Sequence, residues 1–191
     1  MRYLWLPVLL IALVVAPVPS RADFTAGLKA YDAGDFKTAM KEWLPLAQAG
    51  DAEAQFRVGR LYDVGEGVPR NAEKAISWYQ KSAEQKNLNA AFNLGSIFYE
   101  GTLVKKNYAK AYKYWRLAAE TGDPVSQSNL GLLLVSGKGI KRDFAEAYKW
   151  FFLASGAGNL KAKEAVDYFK KVVPESEIEA GRRRALEWRR R

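Results

Sequence analysis

Apolar and small residues recur at helical spacing along most of the chain, and short stretches rich in glycine interrupt them. After Asp51, the apolar or small positions 54, 58, 61 and 62 lie on one side of a helix. A glycine-rich connection over 63–70 follows, and Asn71 is a capping-type residue from which a second helix can start. The residues that share one face of this second helix are Ala75, Tyr79, Ser82 and Ala83.

The same pattern returns every 36 residues. The first helix of each copy carries a glycine, at Gly59, Gly95 and Gly131. Capping-type residues that precede the first helices are Asp51, Asn87, Asp123 and Asn159, and those that precede the second helices are Asn71, Asn107 and Asp143. A fixed period of this length is typical of helix pairs that stack into a solenoid. The predicted fold class is therefore all-α, an α-solenoid of about five antiparallel helix pairs.

The predicted ends of the stack are irregular, as terminal copies of solenoids usually are. Residues 23–50 form a shorter N-terminal capping repeat, which keeps Tyr31 and Trp43, and residues 51–158 form three full copies. Residues 159–191 form C-terminal capping helices with an arginine-rich tail. The residues expected to cover the end of the stack are Ile178, Ala185 and Trp188.

Residues 1–22 have the layout of a secretory signal peptide. Arg2 precedes an apolar run from Tyr3 to Val15, and small residues lie just before the expected cleavage between Ala22 and Asp23. The alternative, an uncleaved membrane anchor, is less favoured because the run is shorter than the roughly 20 residues that span a bilayer. We therefore expect an exported protein.

The composition limits the chemistry that the chain can perform. It contains no cysteine and no histidine, so thiolate chemistry and the commonest metal ligand and general base are missing. No motif of a serine hydrolase or serine β-lactamase is present. The sequence therefore predicts no enzyme, no metal and no cofactor.

The charge is concentrated at one end. The formal net charge is +9, but the segment 181–191 alone holds six arginines and one glutamate, and the body of the predicted mature chain is nearly balanced. Nucleic acid is not an expected partner of an exported protein. Two interpretations of the clusters at 182–184 and 189–191 stay open, a weak contact with anionic envelope lipid and a solvated helix face.

The segment from Ala54 to Asn71, followed by Lys74 to Tyr79, resembles the Sel-1-like repeat family, a relative of the tetratricopeptide repeat. The resemblance implies a right-handed superhelical scaffold that holds partners in a concave groove and that bacteria often export. Together with the signal-like segment and the small size, it leads us to expect a bacterial protein that is periplasmic or secreted. One branch, the Helicobacter cysteine-rich proteins, has a disulfide in every repeat. Because this chain has no cysteine, properties of that branch are not carried over to it.

The side of the first helices opposite to the core is expected to line the concave groove and to bind a protein or peptide. The predicted partner-binding residues are Phe56, Arg60, Asp63, Phe92, Ser96, Tyr99 and Leu132. For Phe56 and Phe92 a second interpretation is equally open, namely packing between adjacent first helices. The alternative function is an envelope enzyme or binder that acts on peptidoglycan or a β-lactam.

Overall fold

The computed structural model describes residues 23–189, and this part of the chain holds ten helices and no strand. The signal peptide predicted at 1–22 and the last two arginines, Arg190 and Arg191, lie outside the described residues. The helices are α1 (Phe24–Asp32), α2 (Phe36–Gln48), α3 (Ala52–Val64), α4 (Ala72–Glu84), α5 (Leu88–Glu100), α6 (Tyr108–Ala119), α7 (Pro124–Ser136), α8 (Phe144–Gly156), α9 (Leu160–Val172) and α10 (Glu175–Arg189). The odd-numbered helices are called first helices below, and α2, α4, α6 and α8 are called second helices.

Side-chain caps mark where the first helices begin, and glycines mark where they end. Each predicted capping residue before α3, α5, α7 and α9 accepts a hydrogen bond from the backbone N–H three residues later, at 2.6–3.0 Å. Gly65, Gly101 and Gly137 end α3, α5 and α7 in the left-handed conformation, with φ between 65° and 87°. A residue with a Cβ rarely adopts this conformation, so glycine is the natural helix stop here.

Each pair packs a large ring of the second helix onto a glycine of the first helix. A Cβ at Gly59 would lie 2.8 Å from the Tyr79 ring, and Gly95 and Gly131 make the same close contact with Trp115 and Phe151. These rings are almost fully buried. Each removes about 150–250 Å² from water, on the order of 4–6 kcal/mol before the entropy of ordering the chain is subtracted. The second helix then packs against the next first helix, which builds an α-solenoid of antiparallel helix pairs and confirms the predicted fold class.

The N-terminal pair, α1 with α2, uses the same contact in a shortened form. Trp43 lies one period before Tyr79, is fully buried, and packs on Gly27. Gly27 lies four residues later than the 36-residue period would place it, because the turn 33–35 replaces the longer connection of the full copies. The glycine was therefore not identified from the period.

The last helix departs from the pattern. Asp167 of α9 lies one period after Gly131 and is exposed, so no ring packs there, and α10 makes only sparse contact with α9. Instead α10 packs along α8, where a Cβ at Gly181 would lie 2.5 Å from the carbonyl oxygen of Ala145. The residues expected to face the core do so, since Ile178 and Ala185 are buried and Trp188 is partly buried against the main core cluster.

Candidate functional site

One side of the first helices stays accessible through the whole stack. In α3 it is defined by residues 53, 57, 60 and 64, and in α5, α7 and α9 by the residues at successive offsets of 36. None of these sixteen positions is buried. At about 100° per residue, the spacing i, i+4, i+7, i+11 keeps them within a narrow stripe along each helix. This stripe is called the first-helix face below.

The residues predicted for partner binding fall into two groups. Arg60, Ser96 and Leu132 lie at equivalent positions on the first-helix face, and Arg60 and Leu132 are exposed. Phe56 is only 7% exposed and packs on the Tyr79 ring at a centroid distance of 5.9 Å, while Phe92 is partly buried against the core. Phe56 thus packs on the second helix of its own pair and Phe92 packs on the main core cluster, so both side chains have core contacts in this structure.

Asp63 is half-buried and held by its neighbours. The Tyr79 hydroxyl donates to Asp63 Oδ2 at 3.3 Å and accepts from Asn93 Nδ2 at 3.2 Å. Burial raises the pKa of the Asp63 carboxyl, against the opposing effects of the Tyr79 hydroxyl and of Arg70. Burial and the Asp63 carboxylate also raise the pKa of Tyr79. This network holds the Tyr79 ring in place on Gly59, so Asp63 has a structural role besides any contact with a partner.

Tyr99 lies at the position equivalent to Asp63 and keeps part of its ring accessible. Its ring centroid is 5.1 Å from that of Trp115 and 5.5 Å from that of Tyr108. Because those rings hold one side of Tyr99, its exposed edge borders the first-helix face with little rotational freedom. A rigid aromatic edge is a suitable anchor for a partner.

The first-helix face changes character along the stack. In α3 it is charged, with Arg57 bound to Glu53 at 2.9 Å and the Arg60 guanidinium 5.3 Å from the Tyr31 ring centroid. In α7 and α9 it keeps polar residues, namely Asn129, Ser136 and Lys161, but large apolar side chains are exposed beside them. The exposed residues that form this apolar patch are Val125, Leu132, Tyr168 and Val172. Leu132 is 55% exposed and Tyr168 is 62% exposed. Large apolar side chains left exposed at neighbouring equivalent positions are typical of an interaction surface.

Part of the first-helix face was not predicted from the sequence, because the predicted positions are rotated slightly around the helix from the accessible ones. The spacing i, i+3, i+7, i+10 includes positions 56 and 63, which rotate toward the neighbouring helix, and omits positions 57 and 64, which do not. It also stopped at α7, although Tyr168 and Val172 continue the face on α9. The 36-residue period could have found Tyr168, because it lies one period after Leu132.

A second set of depressions lies between the second helices. Cavities of about 460 Å³ between α2 and α4, about 430 Å³ between α4 and α6, and about 490 Å³ between α6 and α8 repeat along the stack. A larger cavity of about 820 Å³ lies where α6, α8 and α10 meet. It is lined by Tyr112, Arg116, Glu120, Glu146, Lys149, Trp150, Trp188 and Arg189. Arg116 binds Glu120 and Lys149 binds Glu146, each at 2.7 Å, so these four charges neutralise one another.

The arginines of α10 differ in their surroundings. Arg184 turns toward α8, where its Nη1 donates to Asp143 Oδ2 at 3.1 Å and to Glu146 Oε2 at 3.2 Å. Arg182 and Arg183 are exposed and share a shallow depression with Glu179 and Glu187. Only part of the cluster is therefore available to an outside partner, and carboxylates lie beside it.

Within residues 23–189 no group of three or more histidine, cysteine, aspartate or glutamate side chains could hold a metal ion. Among the same residues, none of the helices has the length and apolarity to cross a membrane.

The stacked helix pairs, the glycine and ring contact at a 36-residue interval and the accessible first-helix face together define a helical repeat scaffold. Residues 52–87, 88–123 and 124–159 each match the family model described as Sel1 repeat. These matches span more than half of the chain, which therefore belongs to the Sel1 repeat family. Proteins of this family are non-enzymatic repeat scaffolds that generally bind other proteins.

Solved structures and one curated protein are similar to this chain. The crystal structure of a Sel1 repeat protein from Oxalobacter formigenes is 34% identical with a TM-score of 0.69, over 78% of this chain and 59% of that protein. That of c5321, a protective antigen present in uropathogenic Escherichia coli strains displaying an SLR fold, is 23% identical with a TM-score of 0.72. It is matched over 76% of this chain and 32% of its own length, and it shows the fold alone.

A putative sel1-like repeat-containing protein L18 of Acanthamoeba polyphaga mimivirus is 44% identical over 41 residues, 22% of this chain and 7% of that protein. The chain thus spans less than two thirds of the length of each of these relatives.

Proposed function

We propose that this protein is an exported scaffold whose first-helix face binds a protein or peptide, with the apolar patch as the centre of the contact. The observation that carries the proposal is the exposure of Leu132 and Tyr168 at equivalent positions of consecutive first helices. The polar residues that surround them on α5 and α9 provide a rim that excludes water from the apolar centre when a partner binds. In this proposal the first-helix face is the concave side of the stack, as the family resemblance implies.

Site-directed photocrosslinking tests the surface directly. A photoreactive amino acid is placed at Leu132 in one variant and at Leu117 in another, since Leu117 is 41% exposed on the second helix α6. We expect one discrete crosslinked partner from position 132, identified by mass spectrometry, and none from position 117. Crosslinking of that same partner from both positions, or from 117 alone, would overturn the assignment of the surface.

Export is part of this proposal, because it determines which partners the scaffold meets. The helix α1 begins at Phe24, directly after the predicted cleavage site, and its N-cap Asp23 accepts from the Thr25 N–H at 2.8 Å. Cleavage at that point leaves the first helix and its cap complete. Fractionation of the native host and N-terminal sequencing of the purified protein check this, and we expect the periplasmic or secreted form to start at Asp23. A cytoplasmic protein that starts at Met1 would contradict it.

The arginine cluster adds a weak contact with anionic envelope lipid to this proposal. Arg182 and Arg183 lie in the middle of α10 and are exposed to solvent. Near an anionic surface each arginine contributes about 1 kcal/mol to binding. The double substitution Arg182→Gln and Arg183→Gln leaves the packing face of α10 intact. We expect it to weaken cosedimentation with phosphatidylglycerol vesicles at low salt. Equal, salt-insensitive binding by both proteins would favour the solvated-face interpretation.

A further inference from the structure

The cavity between α4 and α6 and the cavity between α6 and α8 are the same site in consecutive repeats. Five of the residues that line the first have an equivalent, at an offset of 36, that lines the second. The pairs are Ile76 with Tyr112, Phe98 with Leu134, Lys105 with Lys141, Asn107 with Asp143, and Lys110 with Glu146. The cavity lined by Ile76, Phe98 and Lys105 is called the α4/α6 groove below, and its equivalent is called the α6/α8 groove.

The α6/α8 groove is walled by the chain's own last helix. Glu177 and Arg184 of α10 line it together with Lys141 and Arg142, and the neighbouring Ile178 is almost fully buried. Glu177 is the member of the acidic start of α10, the sequence Glu-Ser-Glu-Ile-Glu over 175–179, that lines this groove. Arg184 of the same helix binds the two carboxylates of the groove, Asp143 and Glu146. The α6/α8 groove therefore meets α10 with charges of both signs, a carboxylate among its basic residues and a guanidinium at Asp143 and Glu146.

The α4/α6 groove has the same floor and a more basic rim, but no segment of the described residues covers it. Its floor is formed by Ile76, Phe98 and Val104, and its rim by Lys105 and Lys110, with the Lys110 Nζ 5.0 Å from the Phe98 ring centroid. Glu73 is the one carboxylate that lines it. The position of Glu146 in the α6/α8 groove is taken by Lys110 here, which replaces a negative charge by a positive one.

From this comparison we infer that the α4/α6 groove is a second docking surface, separate from the first-helix face, and that it binds an acidic segment of a partner protein with one apolar side chain between carboxylates. The apolar side chain contacts Phe98 and Ile76, and the flanking carboxylates meet Lys105 and Lys110. Charge complementarity of this kind selects the partner and speeds its association.

The acidic start of α10 provides the probe. The peptide of residues 175–180, acetylated and amidated, is titrated into the isotopically labelled full chain up to roughly 2 mM and followed by NMR, which detects binding in the millimolar range. We expect amide shifts in 98–110 and around Ile76. We further expect Lys105→Glu with Lys110→Glu to weaken binding at least about fivefold, because like charges then face each other. Lys113→Glu, on the same helix outside the groove, is the matched control and should bind as the unsubstituted chain does.

Two variant peptides separate this proposal from other occupants. A peptide with glutamine in place of its three glutamates tests the charge, and one with serine in place of the isoleucine tests the apolar anchor. Loss of binding by both supports the proposal. Undiminished binding of the serine peptide would show a general polyanion surface, and absence of shifts at the highest concentration, or shifts confined to α8 and α10, would overturn the proposal.

Discussion

Gly59, Gly95 and Gly131 occupy the point in each pair where the ring of the second helix touches the backbone of the first helix. A methyl group at Gly95 would enter the space of the Trp115 ring, whose indole is buried between two helices and has little room to move. The cost of a substitution there therefore comes from overpacking rather than from helix propensity.

We predict that Gly95→Ala lowers the free energy of unfolding by about 1–3 kcal/mol. Gly156→Ala, in α8, is the control because its methyl group would meet only the mobile end of Arg189. Alanine is the better helix former, so this control should be neutral or slightly stabilising. Chemical denaturation followed by circular dichroism measures both. A Gly95→Ala protein as stable as the control would show that the ring and glycine contact does not limit the packing.

The ion pair between Asp143 and Arg184 gives a pH dependence with a defined sign. Burial opposes ionisation of Asp143, but the backbone N–H of Glu146 and the Arg184 guanidinium outweigh it, so its pKa lies below the ordinary value of 3.8. A carboxyl whose pKa is lower in the folded state stabilises the fold above its unfolded pKa, and this contribution is lost as the pH falls through the folded pKa.

Asp143→Asn keeps a good helix cap and removes only the charge. We therefore predict that it destabilises the chain at neutral pH. Its difference from the unsubstituted chain should begin to shrink as the pH drops below about 3.8, the unfolded value, and should vanish below the lower folded pKa. Asp167→Asn, whose partner Lys170 is exposed, should show almost no difference at any pH. Denaturation curves across this range decide it; a constant destabilisation by Asp143→Asn at all pH values would mean that the charge is not the cause.

At the scale of helices, α10 is the element that the period describes least well. Its contact with α8 depends on Gly181, where a Cβ would collide with the Ala145 carbonyl and the Tyr148 side chain. Removal of the chain after Ala180 would therefore expose part of the core, and substitutions on the outer face of α10 are the better way to study the arginines.

We predict that Gly181→Val detaches α10 while leaving α3 to α6 folded, because each repeat contacts only its neighbours. Hydrogen exchange monitored by mass spectrometry should show faster exchange over 175–189 and in α8. Arg182→Val, one residue further along and exposed, should exchange as the unsubstituted chain does. Uniform acceleration over the whole chain in Gly181→Val would instead indicate a single cooperative unit.

The regular elements could be predicted because each repeated contact leaves a residue of restricted type at a fixed interval. The caps before α3, α5, α7 and α9, and the helix stops Gly65, Gly101 and Gly137, are of this kind. Gly27 and α10 could not be placed in this way. Gly27 belongs to the N-terminal pair, whose turn is shorter than those of the full copies. The helix α10 packs on α8, which in the regular repeat is already paired with α7.

At the scale of the whole molecule, the chain is a stack with two distinct sides. The first-helix face is mainly charged at α3 and mainly apolar at α9. The side of the second helices carries a series of grooves, one of which α10 lines at the end of the stack. The first-helix face was predicted from the residues that differ between copies, with the positions rotated by a fraction of a helical turn. The grooves were not predicted, because each one lies between second helices of consecutive repeats. No local sequence pattern indicates that residues so far apart in the chain line one groove.

The binding of the crosslinked partner to the first-helix face is the central claim, and calorimetric titration of matched variants tests it most directly. We predict that Leu132→Asp and Tyr168→Asp each lower the affinity at least about tenfold, since truncation or charging of a central apolar anchor costs more than about 1.4 kcal/mol. Leu117→Asp, on the opposite side, should bind as the unsubstituted chain does, and all three should keep the helical circular dichroism spectrum. Equal affinity of the Leu132→Asp and Leu117→Asp proteins would contradict the assignment of the binding surface.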